Sequence, residues 1–265
     1  LIGNLNGLNV DENIEYRVLP EIEKLILHKI FKLNTHINSL YDSFSFNKVF
    51  QNVLGFCSVE LSSFFFDIRK DSLYCDSLTS EKVKSTKFVM KIVFEYLIRW
   101  LSPIIPFTTE EAWQCWKKEV DIKAEESCHL LKRKICSDLW NNEKISDDWE
   151  KIFEIRNFFL SIVEQKRNAK ELRSSMEAKV NLYLNDKNFE IILKRIDLCE
   201  ILICSDVVFV DKFDDSFKDC SDKTKIKMKV EANNGEKCQR CWKIFNTLNS
   251  SGLCNRCQIV VNERN

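Results

Sequence analysis

Four cysteines near the end of the chain have the residue type and spacing of a metal site. Cys238 and Cys241 form one C-x-x-C pair, twelve residues follow, and Cys254 and Cys257 form a second pair. Two such pairs supply four thiolates, which Zn²⁺ binds tetrahedrally at about 2.3 Å per Zn–S bond. Four protein ligands leave no position for water or substrate, so the spacing predicts one structural zinc ion in a zinc ribbon, without Lewis-acid catalysis.

Basic and aromatic residues surround these cysteines. Trp242 could serve as a stacking platform for a base, or it could pack on the metal loop. The positive side chains could contact phosphate or form a solvated surface: Arg240, Lys243 and Arg256. Redox chemistry at the C-x-x-C pairs is disfavoured, because no thioredoxin-like strand and helix follow either pair.

Composition limits the classes of protein to consider. The 265 residues are 45% hydrophobic and 30% charged, as in a globular protein. Basic and acidic residues number 40 each, so nucleic-acid binding would need a local patch. Five glycines and three prolines favour long helices. Eight of the twelve cysteines are scattered without a disulfide framework, and together with the predicted zinc cluster they predict a reducing, cytoplasmic location. No leader or membrane span is predicted.

Apolar residues recur at helical spacing up to about residue 173. Pro20 is placed to begin a helix from Glu21 to Leu40, and the stripe from Phe46 to Ile68 predicts a central helix of a bundle. The charges that end this stripe predict emergence into solvent: Asp67, Arg69, Lys70 and Asp71. Further helices are predicted from about Ser80 to Leu101, after Pro106 with Thr108 and Glu111 as a capping box, and from Ile152 to Val163.

The pattern changes beyond Ser174. Alternation at Val180, Leu182 and Leu184 predicts a strand, and a second strand places Ile226, Met228 and Val230 on one face. Four lysines alternate with that apolar face: Lys223, Lys225, Lys227 and Lys229. They would protect an edge strand from pairing or follow a phosphate backbone, and Lys225 and Lys227 are therefore candidate RNA contacts.

Motifs of catalysis are missing from the sequence. It contains no phosphate-binding glycine loop, no dinucleotide fingerprint, no nucleophile elbow and no H-E-x-x-H. The residues by themselves therefore indicate a helical bundle, a small α+β module and a basic zinc ribbon, but no active site.

Several runs of sequence resemble the bacterial isoleucyl-tRNA synthetase family, of class I. They are Phe56 to Tyr74 (FCSVELSSFFFDIRKDSLY), Pro103 to Trp113 (PIIPFTTEEAW), Ser174 to Val180 (SSMEAKV) and Gly235 to Trp242 (GEKCQRCW). The second run is shared with the valine, leucine and methionine enzymes, whereas the first and last are typical of the isoleucine enzyme. The resemblance extends over nearly the whole chain.

The resemblance implies a mainly α fold with a defined domain order. Residues 1–16 would end a preceding segment, 17–173 form the anticodon-binding helical bundle, 174–234 a small α+β junction module, and 235–265 the zinc ribbon with its four cysteines. ATP and isoleucine would bind in a catalytic domain whose H-I-G-H and K-M-S-K-S motifs this sequence lacks. We therefore expect a monomeric C-terminal piece that binds isoleucine tRNA in the cytoplasm, without a membrane partner.

Two alternatives stay open. A zinc-ribbon module could dock on a protein partner, with Trp242 and Ile244 as interface anchors and feeble affinity for RNA. The chain could also be the same region of a valine or leucine synthetase, against which the run from Ser58 to Asp71 argues.

Overall fold

The computed structural model describes residues 1–5, 13–220 and 226–264. It divides into two compact units. The first comprises Leu1–Leu73 and Leu78–Ser146, and the second comprises Tyr74–Ser77 and Asp147–Asn265. Helices dominate, a small mixed sheet follows, and a cysteine cluster lies near the C-terminus, which confirms the predicted mainly α fold class.

The first unit is a bundle of helices with short 3₁₀ turns. Its elements include α1 (Glu21–Asp42), α2 (Phe46–Gly55), a π-helical segment (Phe56–Phe66), all but the last two residues of α3 (Asp67–Cys75), α4 (Glu81–Leu101), α5 (Pro106–Glu119) and the first turn of α6 (Glu143–Asn168). Pro20 precedes α1 as predicted, and the side chains of Ile22, Ile26 and Ile30 are buried. The helix after Pro106 starts two residues before Thr108, so the predicted capping box is wrong, and the proline itself occupies the first turn.

The apolar stripe from Phe46 onward forms one continuous helix with a change of pitch. Residues Phe56–Phe66 are π-helical, and Leu61, Phe64 and Phe65 in that segment are buried. A wider turn changes which side chains share a face, so that neighbouring phenylalanines both reach the core. The stripe predicted a helix correctly, but the π-helical pitch was not predicted.

The charges at the end of this stripe do not all reach solvent. Arg69 is only 1% exposed, and its Nε donates to Oε1 of Glu23 at 2.8 Å in α1. The same carboxylate accepts a hydrogen bond from the Thr86 hydroxyl at 2.8 Å. The prediction of solvent exposure is therefore wrong for Arg69, because a buried carboxylate from another helix compensates its charge.

Aromatic rings fill the contact between α4 and α5. The ring of Phe94 stacks on Trp116 with 4.5 Å between ring centroids, and the Trp113 ring lies nearly parallel to it at 6.3 Å. The Trp113 indole N–H donates to the carbonyl oxygen of Glu125 at 2.9 Å. Both tryptophans are core residues of the bundle.

One helix of the described residues, Phe46–Cys75, is long and apolar enough to cross a membrane by length and composition, and an 18-residue window within it has a mean hydropathy of 1.3. Core helices of soluble proteins meet the same criterion, so length and hydropathy are weak evidence for a span. Val49 and Val53 of this stretch are buried in the bundle, and Arg69 is ion-paired there. These contacts are those of a bundle helix.

The second unit contains the rest of α6 and a four-stranded sheet. The strands are β1 (Ala178–Leu184), β2 (Asp206–Phe209), β3 (Lys218–Asp219) and β4 (Ile226–Ala232), in the order β2-β1-β4-β3. Strand β1 pairs in parallel with β2 and antiparallel with β4. The predicted apolar faces are buried, as Val180 and Leu182 on β1 and Met228 on β4 show. Helices α7 (Lys187–Lys194) and α8 (Leu198–Ile201) lie between β1 and β2 in the chain.

The lysines of β4 occupy a central strand. Because β4 lies between β1 and β3, the interpretation as protection of an edge strand is wrong for Lys227 and Lys229. Lys223 and Lys225 lie outside the described residues. Lys227 pairs with Asp219 at 2.7 Å and lies 4.7 Å from the centroid of the Phe213 ring. Lys229 pairs with Glu231 at 3.1 Å. Carboxylates on the same face thus offset both described lysines.

Candidate metal centre

The four predicted cysteines lie together at the C-terminal end of the second unit. Cys238, Cys241, Cys254 and Cys257 are buried, and their sulfur atoms all lie within 4.8 Å of one another. The Sγ atoms of Cys241 and Cys254 are 3.9 Å apart. A tetrahedron with metal–sulfur bonds of about 2.3 Å has edges of about 3.8 Å, so this spacing fits a single ion between the sulfurs.

A short hairpin and a helix position the cysteines. Strands β5 (Glu236–Lys237) and β6 (Ile244–Phe245) pair antiparallel, and the first C-x-x-C pair lies in their connection. The second pair lies at the start of α9 (Asn255–Arg264). Trp242 adopts a left-handed backbone conformation with φ of 65°, which turns the chain back after Cys241. The local backbone geometry thus brings the two C-x-x-C pairs together.

The loop between the pairs is built by Asn249 and Gly252. The Asn249 side-chain oxygen accepts hydrogen bonds from the N–H groups of Ser251 at 3.0 Å and Leu253 at 2.8 Å. Gly252 has φ of 68°, and a Cβ there would lie 2.8 Å from the Gln239 side chain. The predicted turn residues therefore fold the second pair back on the first.

The thiols of the cluster have pKa values shifted in opposite directions. Burial acts to raise the pKa of Cys238, but the backbone N–H groups of Cys241, Cys254 and Arg240 lower it to about 6. Burial raises the pKa of Cys241 to about 11, and it raises the pKa of Cys257 as well. Neutral thiols are favoured where sulfurs crowd, and a cation between them would reverse that preference because metal ligands are thiolates.

A segment distant in sequence borders the cluster. Cys75 is buried against the four cysteines. The guanidinium of Arg240 donates to the carbonyl oxygens of Tyr74 at 2.6 Å and Cys75 at 3.1 Å. Arg256 donates to a carboxylate oxygen of Asp76 at 3.1 Å. Two of the residues predicted to contact RNA therefore also anchor residues 74–76, which sequence analysis did not identify as part of the site.

A second group of ligand-type side chains lies in the first unit: Glu110, Cys128 and His129. The Glu110 carboxylate already accepts hydrogen bonds from Gln114 at 2.6 Å, the Ser127 hydroxyl at 2.8 Å and the Cys128 N–H at 3.0 Å. These donors, the Gln114 amide foremost, lower the pKa of Glu110 to about 2. The carboxylate closes a turn, and the four-cysteine cluster is the better metal centre.

Comparison with known proteins identifies the family. The sequence model described as "Anticodon-binding domain of tRNA ligase" matches residues 23–182, more than half of the chain. The chain belongs to this family. The resemblance predicted from the sequence runs is thereby confirmed.

Similar curated proteins carry one name. The isoleucine–tRNA ligase of Pelagibacter ubique is 36% identical over 247 residues, which cover 92% of this chain and 26% of that protein. That of Agrobacterium fabrum is 35% identical over 94% of this chain and 25% of its own length. That of Bartonella quintana is 39% identical over 73% of this chain and 20% of its own length. The chain thus spans about a quarter of the length of the curated relatives that it matches most fully.

The remaining candidate RNA contacts of this anticodon-binding family member differ in their exposure and in the element on which they lie. Trp242 is 59% exposed on the connection between β5 and β6. The neighbouring Lys243 is partly exposed, and its carbonyl oxygen accepts the Cys238 N–H at 3.0 Å. Lys227 lies on the sheet and is ion-paired with Asp219, and Lys225 lies outside the described residues. The structure thus places Arg240, Trp242, Lys243 and Arg256 around the cysteine cluster, and Lys227 on a separate element.

Proposed function

We propose that this chain is the tRNA-binding C-terminal part of an isoleucine–tRNA ligase, an enzyme that joins isoleucine to its tRNA with the use of ATP. The observation that carries the proposal is the similarity to isoleucine–tRNA ligases over 92% of the chain, with the anticodon-binding family match inside it. The chain itself contains none of the catalytic motifs. Its own role is therefore binding, and ATP belongs to a part of the enzyme outside this sequence.

In this proposal the predicted domain order has a functional meaning. The helical part, residues 17–173, holds the anticodon stem-loop, 174–234 form a junction, and 235–265 approach the loop as a zinc ribbon. Arg240 and Arg256 supply positive charge while they anchor residues 74–76, because a guanidinium carries five N–H donors. Trp242 stacks on an unpaired base and Lys243 contacts phosphate, with Lys225 and Lys227 as weaker support.

The proposed metal is one Zn²⁺ ion held by Cys238, Cys241, Cys254 and Cys257. Four thiolates in tetrahedral spacing are the donor set of structural zinc. The ion would be closed to substrate and would stabilise the ribbon. Metal analysis of the purified chain should give one zinc per chain, and a Cys241→Ser variant should contain none.

The proposal further expects a monomer that works in the cytoplasm, where tRNA is charged. The family match over the helical bundle and the shared name of the relatives support this function over a protein-docking zinc module or a valine or leucine enzyme.

Binding of isoleucine tRNA across a salt series tests the function. The affinity should fall steeply as salt rises, because phosphate contacts release counterions. Binding that is absent at low salt, by a chain whose helical circular dichroism is intact, would contradict the proposal.

A further inference from the structure

Two cysteines outside the metal cluster lie at the C-terminal end of the short helix α8. The N–H of Cys204 donates to the carbonyl oxygen of Cys199 at 3.0 Å, and the N–H of Ile203 donates to that of Glu200 at 3.1 Å. Ile203 has a left-handed backbone conformation, with φ of 54°. These features define a Schellman motif, in which the side chains of the first and sixth residues frequently lie in contact. Both of those residues are cysteines here.

The two thiols differ in their access to solvent. Cys199 is half-buried, so that part of it is open to a small molecule, whereas Cys204 is 0% exposed. The Cys204 thiol lies 3.7 Å from the carbonyl oxygen of Asp206. A disulfide needs Cα atoms about 4.4–6.8 Å apart, and a turn closed between the two residues by a backbone hydrogen bond suits that requirement. Rotation of the two side chains would then complete a bridge.

The surroundings of Cys199 favour its thiolate. The Cys204 thiol hydrogen-bonds to it and thereby lowers the pKa of Cys199. The Lys243 ammonium acts in the same direction, while burial and the carboxylates of Asp197 and Asp206 oppose it. The same hydrogen bond, together with burial, raises the pKa of Cys204, which therefore keeps its proton. The thiolate is the reactive form of a cysteine, so Cys199 is the nucleophile of the two.

Three other cysteines outside the metal cluster hold their protons more tightly. Burial raises the pKa of Cys57 and of Cys136, and it raises the pKa of Cys128 to about 11. Buried, protonated thiols react slowly with oxidants. Cys199 differs from them in both charge and neighbour.

We propose that Cys199 and Cys204 form a redox-modification site, at which a peroxide converts the two thiols into one disulfide. The Cys199 thiolate attacks an oxygen of hydrogen peroxide, the O–O bond breaks, and a sulfenic acid and hydroxide form. The Cys204 sulfur then attacks the Cys199 sulfur, the S–O bond breaks, and the hydroxyl group leaves with the thiol proton as water. The two sulfurs lose two electrons, which the peroxide gains. A dithiol restores the pair by thiol–disulfide exchange.

The site borders the hairpin that carries the first C-x-x-C pair. The hydroxyl oxygen of Ser205, directly after Cys204, accepts the Ile244 N–H at 2.6 Å. A disulfide is uncharged, so oxidation removes the negative charge that the Lys243 ammonium stabilises. The modification thus changes the electrostatics beside the hairpin without use of a metal ligand. A reversible disulfide of this kind is compatible with a reducing cytoplasm, where such bonds are transient.

Peptide mass spectrometry of the full chain tests the proposal. After exposure to hydrogen peroxide for increasing times, free thiols are blocked with N-ethylmaleimide and the chain is digested with trypsin. Residues 196–212 then form one peptide, whose cysteines are Cys199 and Cys204. An internal disulfide lowers its mass by two hydrogens and leaves it without maleimide. This disulfide should form about tenfold or more faster than the exposed Cys115 is oxidised, and dithiothreitol should reverse it.

Two variants separate the roles of the cysteines. Cys204→Ala keeps an apolar contact in the turn but lacks the second sulfur, so Cys199 should stop at the sulfenic acid, which dimedone traps. Cys199→Ser should leave the buried Cys204 reduced. In urea that unfolds the unaltered chain, Cys199 should lose its lead over Cys115, because the turn that activates it is gone.

Three results would overturn the proposal. One is a peptide 196–212 that keeps two maleimide-reactive thiols after Cys115 has been oxidised. Another is a disulfide from Cys199 or Cys204 to a different cysteine. The third is an equal rate for Cys199 and Cys115 in the folded chain. Circular dichroism shows whether each variant is folded, and if Cys204→Ala is not, the comparison of folded and urea-unfolded unaltered chain decides alone.

Discussion

Arg240 and Cys75 are joined by two hydrogen bonds across 165 residues of sequence. The guanidinium donates to the Cys75 carbonyl oxygen at 3.1 Å, and the Cys75 thiol donates to the Arg240 carbonyl oxygen at 4.0 Å. Arg240 stands between two of the predicted metal ligands. Order in residues 74–76 should therefore depend on order in the cysteine cluster, and hence on its metal.

Chelation should expose Cys75. With metal bound, the buried Cys75 thiol should react slowly with a maleimide, and removal of the metal should accelerate its labelling about tenfold or more because the ribbon loses its fold. Mass spectrometry of peptides resolves each cysteine. The exposed Cys115 should react in both states and the buried Cys128 in neither. Equal labelling of Cys75 with and without metal would refute the coupling.

Loss of one metal-binding cysteine should disrupt the ribbon and leave the helical bundle folded. Cys241→Ser should abolish metal binding and weaken tRNA binding, while far-UV circular dichroism retains the helices of the first unit. Cys220→Ser, at a half-buried cysteine outside the cluster, is the control and should keep its metal. A metal-free Cys241→Ser chain with undiminished tRNA affinity would show that the ribbon is not needed for binding.

Trp242 offers a test of base stacking. Trp242→Gly removes an exposed ring and suits the left-handed backbone there, so stability should be unchanged or higher. The affinity for tRNA should fall by about 1–3 kcal/mol, the usual contribution of one stacked base. Fluorescence anisotropy with labelled tRNA measures the change. If binding is unaltered, Trp242 has no role as a stacking platform.

The buried pair of Arg69 and Glu23 should be the costliest to break. Arg69→Met leaves the Glu23 carboxylate buried without its ion partner and should lower the free energy of unfolding of the bundle by about 3–5 kcal/mol. Lys70→Met removes a lysine of an exposed pair with Asp67 and should change it by less than about 1 kcal/mol. Urea unfolding measures both, and equal effects would contradict the assignment of Arg69 to the core.

Glu110 should make the stability of the first unit depend on acid pH. Its pKa is lowered from 4.5 to about 2 by hydrogen bonds from Gln114, Ser127 and Cys128. The carboxylate therefore stabilises the fold above pH 4.5, and that contribution is lost as pH falls towards 2. Glu110→Gln should be less stable than the unaltered chain at neutral pH and nearly equal to it near pH 2. Glu111→Gln, at an exposed neighbour, should show no such trend.

Spacing predicted the parts of the fold that depend on local sequence. The four cysteines, the helix after Pro20 and the buried face of β1 follow from intervals of two to four residues or from paired motifs. The interval of π-helical turns is close to that of α-helical turns, so the apolar stripe could not reveal the change of pitch after Gly55.

Ion pairs between residues that are distant in sequence could not be predicted from the sequence patterns. Arg69 pairs with Glu23 across 46 residues, and Arg256 pairs with Asp76 across 180. A charged side chain at a helix end looks the same in sequence whether it reaches solvent or a buried carboxylate. The anchoring of residues 74–76 depends on such tertiary contacts, and only the structure shows it.

Competition between two tRNAs tests the central claim most directly. Labelled isoleucine tRNA bound to the full chain is displaced by unlabelled isoleucine or valine tRNA at one fixed, moderate salt concentration. The account predicts that isoleucine tRNA displaces the label at a concentration about tenfold or more below that of valine tRNA, because the bound anticodon loop differs. Equal displacement by both tRNAs would contradict anticodon reading by this chain and would leave only nonspecific attraction to RNA phosphate.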